Sequence, residues 1–380
     1  MSRTIYPALI IGAGASGLFA GSILGRKALI LEKNQIPGKK LLLTGGGRCN
    51  YTHSASVPEL LSHYNCSQNY LKRILYRLPP SEIISYFTSL GIEESIEDNG
   101  KVFPKHGDAS SISEALAAGC NIEYGVSAER ISREDGVIAV ETDSGIYYCN
   151  NLIIAAGCSA YPKTGSDGKA LDILKAAGIE CREFTAAMAP LELERKLSDA
   201  EGITLDISIK AGRRIEKGSA VITRRGISGP AAQNISYLLE ERNAIEIRFI
   251  DITKEELLSY SGKLQVKNAI ALPSRLLSAL LGPIAQKRIG DLTRSDIDKT
   301  VRELTAFRTE ARAIREASMT SYGGALLSGF NLNTMESKAM KGLYAAGDIL
   351  EPSADCGGYS PTFAFATAYI AAISIKEQLE

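Results

Sequence analysis

The chain has 380 residues, 45% of them apolar and 23% charged, enough for more than one domain and ordinary for a globular protein. Its 43 Lys and Arg balance 43 Asp and Glu, so composition supplies no surplus of positive charge for nucleic acid or an anionic membrane surface. Seven scattered cysteines form no C-x-x-C pair, and the three histidines, His53, His63 and His106, lack metal-ligand spacing; both observations argue against a disulfide scaffold, a dithiol flavoenzyme and a zinc site.

In chain order, the apolar run Ala8-Leu9-Ile10-Ile11 enters Gly12-Ala13-Gly14-Ala15-Ser16-Gly17. A small-residue helix, Leu18 to Leu24, and a second apolar run, Ala28 to Leu31, then lead to Glu32. Strand, glycine turn, helix, strand and acid form a dinucleotide-binding unit. Gly12 permits the tight turn, Gly14 lets backbone approach a pyrophosphate, and Gly17 lets the helix lie close on the sheet. The helix N-terminus offers N–H groups to phosphate. Glu32 falls where a carboxylate accepts ribose hydroxyls. The first strand begins within a few residues of the N-terminus, so no signal peptide is expected and a cytoplasmic location is the expectation.

Pro37-Gly38-Lys39-Lys40 reads as a turn before Leu41-Leu42-Leu43-Thr44-Gly45-Gly46-Gly47-Arg48-Cys49-Asn50. Three consecutive glycines suit backbone that touches a flat ring or a phosphate. Arg48 could neutralise a phosphate, and burial is the ordinary fate of a lone thiol such as Cys49. Helices are expected over Gln68 to Leu78, Ser81 to Leu90, and from Asp108 or Ser110 to about Ala118. A strand over Asn121 to Val126 is expected to pass the adenine. Val137 to Thr142 and Ile146 to Cys149 read as a hairpin, and Leu152 to Gly157 as a separate buried strand.

From about Pro190 to Ile314 the pattern changes to short strands (Ile203 to Ile209, Ser219 to Thr223, Ile245 to Ile250) and then to helical text from Lys254, an inserted module. Glu316 to Thr320 reads as a strand and Tyr322-Gly323-Gly324 as a turn. Leu343-Tyr344-Ala345-Ala346-Gly347-Asp348 repeats strand, glycine, acid. An acid at the end of a central parallel strand lies over the crevice of such a sheet, where flavoproteins hold the ribityl chain of FAD. Gly357-Gly358-Tyr359 opens a last helix whose positive end could face the flavin N1/O2 edge. Its apolar run Ala364 to Ile373 is too short and too interrupted for a membrane span.

These segments resemble the BaiN-like (YhiN) NAD(P)/FAD-dependent oxidoreductases, a family that includes aminoacetone oxidase-like flavoproteins. The resemblance rests on Ile10 to Gly17, Lys40 to Asn50, Val102-Phe103-Pro104, Tyr161 to Ser166, Gly226 to Pro230, Asn333-Thr334-Met335-Glu336-Ser337-Lys338, Gly342 to Asp348 and Gly357-Gly358-Tyr359. The sequence departs from the usual pattern at Ala155-Ala156-Gly157-Cys158, Asp348, Ser360 and Ala325. The resemblance implies an α/β fold: a Rossmann-type FAD-binding domain like the FAD half of glutathione reductase, over 1–188 and 316–380. A β-barrel-like domain (189–252) and a small helical cap (253–315) interrupt it. It also implies non-covalent FAD held by Gly12, Ala13, Gly14, Ala15, Ser16, Gly17, Glu32, Lys33, Lys40, Thr44, Gly46, Gly47, Arg48, Cys49, Asn50, Val126, Ala155, Ala156, Gly157, Gly347, Asp348, Gly357, Gly358 and Tyr359.

The expected activity is redox chemistry on a small-molecule substrate, in a cleft between the FAD domain and the insertion. NAD(P)H is the candidate electron donor. No second G-x-G-x-x-G occurs, so the nicotinamide would have to visit the flavin through that cleft, or electrons would come from another protein. No catalytic acid or base stands out in the sequence. The alternatives are a flavin-binding oxidase, or a non-turnover flavoprotein such as a sensor or a partner in nucleic-acid modification. The balanced charge argues against nucleic acid.

Overall fold

The structure is a computed structural model that describes residues 3–380. Two compact units are present: Met1–Thr185 with Thr320–Glu380, and Ala186–Met319.

In the first unit, β1 (Ile5–Ile11) and β2 (Ala28–Glu32) flank α1 (Ala15–Leu24) and pair in parallel, Ala8 with Ala28 through Ile11 with Leu31. Strand Asn121–Tyr124 extends the sheet beyond β2. Gly145–Ile154 lies on the other side of β1, and Leu343–Ala345 follows it, all parallel. Ala8 to Ile11 and Leu152 to Ile154 are buried throughout, as continuous apolar runs in a parallel sheet covered on both faces must be. Helix α1 is covered by the 21-residue helix Tyr359–Leu379. Phe19 of α1 packs against Phe365 at 4.9 Å between ring centroids.

The expected hairpin strand and the separate buried strand are one element of ten residues, Gly145–Ile154. Asn150 and Asn151 break the apolar pattern but not the ladder, because Asn151 donates its side-chain N–H to the Pro7 carbonyl while pairing with β1 continues through Ile154. Likewise Tyr322-Gly323-Gly324 is strand, not turn: it lies within Thr320–Ala325, and residues 315–317 form a short 3₁₀ helix in place of the expected strand. A Cβ on Gly323 would come within 2.2 Å of the Glu183 carbonyl oxygen. The glycine is there for close approach of a neighbouring strand rather than for a bend.

The second unit is built on a closed barrel of six antiparallel strands: Leu191–Leu193, Gly226–Ser228, Arg214–Ile222, Thr204–Ala211, Asn243–Arg248 and Phe307–Ala313 in spatial order. Helices Lys254–Ser259, Ser274–Leu281 and Arg294–Thr305 lie between the last two strands in sequence. Leu276, Leu277, Leu280 and Leu281 bury one face of the middle helix. The helical region expected over 253–315 therefore ends at Thr305, and the rest closes the barrel. Phe307, Thr309, Ala311 and Ala313 are buried and alternate with exposed Arg308, Glu310 and Arg312, the period-two pattern of a strand with one face on a core. No helix among the described residues is long and apolar enough to cross a membrane.

Candidate functional site

The glycine turn between β1 and α1 separates two roles. A Cβ on Gly17 would stand 1.8 Å from the Gly12 carbonyl oxygen, and one on Gly12 would stand 2.8 Å from the Ala155 oxygen, so both glycines are fixed by packing. A Cβ on Gly14 would meet nothing within 4 Å. Gly14 is also the N-cap of α1, and no side chain caps the helix there. The first N–H groups of α1 thus face an open position that an anion can fill.

Glu32 ends β2 and is 6% exposed. Its Oε2 accepts from the Ala13 N–H at 2.7 Å, and its Oε1 accepts from the Asn34 backbone and side chain at 2.8 and 2.6 Å. The carboxylate therefore pins the glycine turn to the end of β2; Oε1 already accepts two hydrogen bonds, and Oε2 keeps a further lone pair for a hydroxyl. The Val126 N–H donates to the Glu32 carbonyl, which sets Val126 beside it. Lys33 is paired with Asp167 at 3.0 Å.

The triple-glycine segment is a kinked 3₁₀ turn. Gly45, Gly46 and Gly47 have φ of 58°, 68° and 89°, the region that glycine occupies without strain. Added Cβ atoms at Gly46 and Gly47 would meet nothing, whereas one at Gly45 would meet the Asn50 nitrogen at 2.8 Å. Thr44 donates to the Leu41 carbonyl. Asn50 faces inward, and its Oδ1 accepts from the Val102 N–H at 3.2 Å. Cys49 is fully buried, and burial pushes its thiol up to about 11. Arg48 lies over the Phe103 ring and pairs with Glu97 at 2.9 Å, so its charge is engaged within the protein.

The second strand-glycine-acid unit meets this loop. Lys40 Nζ is 3.0 Å from Asp348 Oδ2 and 3.3 Å from Cys158 Sγ. Burial disfavours the Lys40 cation, but Cys158 and Asp348 outweigh it, and its pKa lies above the ordinary lysine value. Cys158 follows Ala155, Ala156 and Gly157, and Ser166 closes this turn by donating to the Cys158 carbonyl at 2.7 Å. Gly347 packs on Ser16, where a Cβ would lie 2.5 Å from the hydroxyl oxygen. Gly358 packs on the Thr52 carbonyl and Asn50 in the same way, at 2.4 and 2.8 Å. These contacts bring the helix start at Tyr359, the triple-glycine segment and the first glycine turn together, although Tyr359 lies more than 300 positions from the other two in sequence.

Cys158 was not among the sequence candidates for the site, and neither were His53, His63 and Asp355. His53 and His63 both stack on Tyr359, with ring centroids 5.0 and 4.2 Å away, and His63 Nδ1 is 3.0 Å from Asp355 Oδ2. The only local signal was His53, three positions after Asn50. No group of three or more metal-ligating side chains occurs among the described residues.

The residues fit an elongated dinucleotide. Open backbone at Gly14, Gly46 and Gly47 forms a cradle that a Cβ would fill, an uncapped helix end faces it, and the buried carboxylate of Glu32 ends the next strand. Bound there, FAD would be held by the Gly12–Gly17 turn and Glu32 at one end, and by Lys40, Asp348 and the Gly357-Gly358 helix start at the other.

Residues 6–374 match the model of the HI0933-like protein Rossmann domain. The chain is 29% identical to a ribosomal RNA dihydrouridine synthase of Haemophilus influenzae, covering 97% of this chain and 98% of that one. It is 26% identical to a 3-dehydro-bile acid delta(4,6)-reductase of Clostridium scindens, again over 97% and 98%. Among solved structures, a 3-ketosteroid delta1-dehydrogenase from Sterolibacterium denitrificans superposes with a TM-score of 0.54 at 10% identity, over 98% of this chain and all of that one, a likeness of fold. The chain belongs to the HI0933-like Rossmann family and is an FAD-dependent oxidoreductase.

Proposed function

We propose that this enzyme reduces a carbon–carbon double bond conjugated to a carbonyl group, with NAD(P)H as the ultimate electron donor. The observation that supports this most is the pair of full-length relatives named above. One makes dihydrouridine in ribosomal RNA, which is saturation of the uracil double bond beside a carbonyl. The other reduces double bonds in a 3-oxo bile acid. The shared chemistry is addition of hydride to one carbon and a proton to the next. FAD, when bound and reduced, supplies the hydride.

The protein's own groups bind and orient. The α1 N-terminus and Glu32 would hold the nucleotide end of the cofactor. Asp348 and Lys40, paired with each other at 3.0 Å, would hold the flavin end. The sequence has no second glycine fingerprint, so a nicotinamide donor would have no Rossmann site of its own.

The test is anaerobic turnover with NADPH or NADH, comparing a steroid enone with ribosomal RNA from cells lacking dihydrouridine. Products are read by mass spectrometry as the gain of two hydrogens. Gain on either substrate supports the reading, and its site tells the enone and uracil substrates apart. NAD(P)H oxidation that occurs only with oxygen, with no hydrogenated product from either, would make the enzyme an oxidase instead.

A further inference from the structure

Two of the chain's three histidines, His53 and His63, stack on the ring of Tyr359 at the start of the last helix, with interplanar angles of 19° and 8°. Their hydrogen bonds divide them. His53 Nε2 lies 3.0 Å from the Asn99 carbonyl oxygen, and its Nδ1 accepts from the Ala55 N–H at 3.0 Å. One nitrogen must carry the proton and the other must not, so His53 is held in a single neutral tautomer. Burial also pushes its pKa down.

His63 is wired the other way. Its Nδ1 faces the Asp355 carboxylate, which can only accept, so Nδ1 carries a proton and Nε2 is left to take up and release another. The His63 side chain is 38% exposed and that of Asp355 14%. Backbone pairing fixes the dyad: the Asp355 N–H donates to the His63 carbonyl at 2.8 Å, the Asn65 N–H donates to the Ser353 carbonyl at 3.1 Å, and Tyr64 bridges Ala354. The Tyr64 hydroxyl donates to the Tyr359 carbonyl at 2.7 Å. The other titratable or charged groups about the stack are Cys356, Glu59 and Lys101.

We infer that His63, oriented by Asp355 and by its stack on Tyr359, is the proton donor of the reduction, an inference that rests on the reading under Proposed function. The substrate double bond gains a hydride with its electron pair at one carbon, from the reduced flavin cofactor. It gains a proton at the neighbouring carbon from Nε2 of the His63 imidazolium. The imidazole left behind keeps its Nδ1 proton on Asp355 and is recharged from water. Asp355 is a positioning residue, holding the tautomer that leaves Nε2 available. The placement supports this role: Asp355 is two positions before Gly357, in the loop that leads into the Gly357-Gly358 helix start, where Gly358 packs on Thr52 and Asn50.

The test has two arms on the FAD-loaded protein. Long-range proton–nitrogen NMR on a chain with only three histidines reads tautomers directly, with His106→Gln assigning the third. The neutral form is expected on Nδ1 for His63 and on Nε2 for His53, with the His63 preference lost in Asp355→Asn. In turnover, His63→Gln should lower kcat by about 100-fold or more, leaving KM, FAD affinity and flavin reduction by NAD(P)H within about twofold of wild type. Asp355→Asn should lower kcat about tenfold at an unchanged unfolding temperature, which guards against a folding defect. A His63 tautomer on Nε2, or a His63→Gln enzyme with wild-type kcat, overturns the inference while wild-type turnover still stands. A wild type that reduces no conjugated double bond overturns the functional reading and this inference with it.

Discussion

The two glycines at the start of α1 should separate folding from cofactor binding. At Gly17 a methyl group would sit 1.8 Å from the Gly12 oxygen, and ordinary contact begins near 3.4 Å. The helix would have to withdraw from the turn by more than an ångström, against a sheet whose strands here are fully buried. Overpacking of this kind costs about 3 kcal/mol or more, which for a unit of this size is a fall of roughly 6–12 °C in the unfolding temperature. At Gly14 a methyl meets nothing, and φ of −81° with ψ of −169° suits any L-residue. Gly14→Ala should cost only about 1 kcal/mol of stability, the difference between glycine and alanine at an N-cap. The same methyl stands where the pyrophosphate must approach, so FAD affinity should fall by at least about 100-fold, or roughly 2.7 kcal/mol. The assay is thermal unfolding of cofactor-free protein together with titration of FAD by flavin fluorescence. Equal unfolding temperatures for the two variants would refute the packing argument. Wild-type FAD affinity in Gly14→Ala would refute the placement of the phosphates.

Glu32→Ala removes the acceptor of the Ala13 N–H as well as the expected ribose partner, so both cofactor-free stability (by about 1–3 kcal/mol) and FAD affinity should fall; unchanged FAD affinity would remove the ribose role. Asp296 is held down to about 2 by its hydrogen bonds with Lys287 and Thr293. A carboxyl whose folded pKa is depressed stabilises the fold above its ordinary value near 4 and loses that contribution as pH falls towards 2, so Asp296→Asn should flatten the acid limb of the stability curve over that interval. Thiol labelling of the native protein at pH 8 should spare Cys49 and Cys149, pushed up by burial to about 11 and about 12, and should reach both once the protein is unfolded; fast native labelling of Cys49 would contradict its burial.

Features encoded within a few dozen residues were legible in the sequence. Gly12 to Glu32 is a local unit whose spacing states its own geometry, and Leu343 to Asp348 repeats the signal. Register was less legible. Asn150-Asn151 reads as a break between two strands because the Asn151 side chain finds its partner only in the folded sheet, and Gly323-Gly324 reads as a turn because the strand that crowds Gly323 lies about 140 positions away. The barrel strand Phe307–Ala313 carried a clear alternation, but it followed directly on an amphipathic helix. The groupings Lys40–Cys158–Asp348 and His53–Tyr359–His63 were not legible, since each joins segments hundreds of positions apart, and no spacing rule links a histidine near one glycine motif to a tyrosine at the far end of the chain.

The central claim is that the bound flavin takes electrons from NAD(P)H and passes them to a conjugated double bond. The direct measurement is the visible absorption of the purified FAD-loaded protein in the absence of oxygen, first with NADPH or NADH and then with substrate. The account predicts that the oxidised flavin band bleaches with the nicotinamide and returns, mole for mole, when the steroid enone or the unmodified ribosomal RNA is added. A band that never bleaches, or that returns only on admitting oxygen, would contradict it.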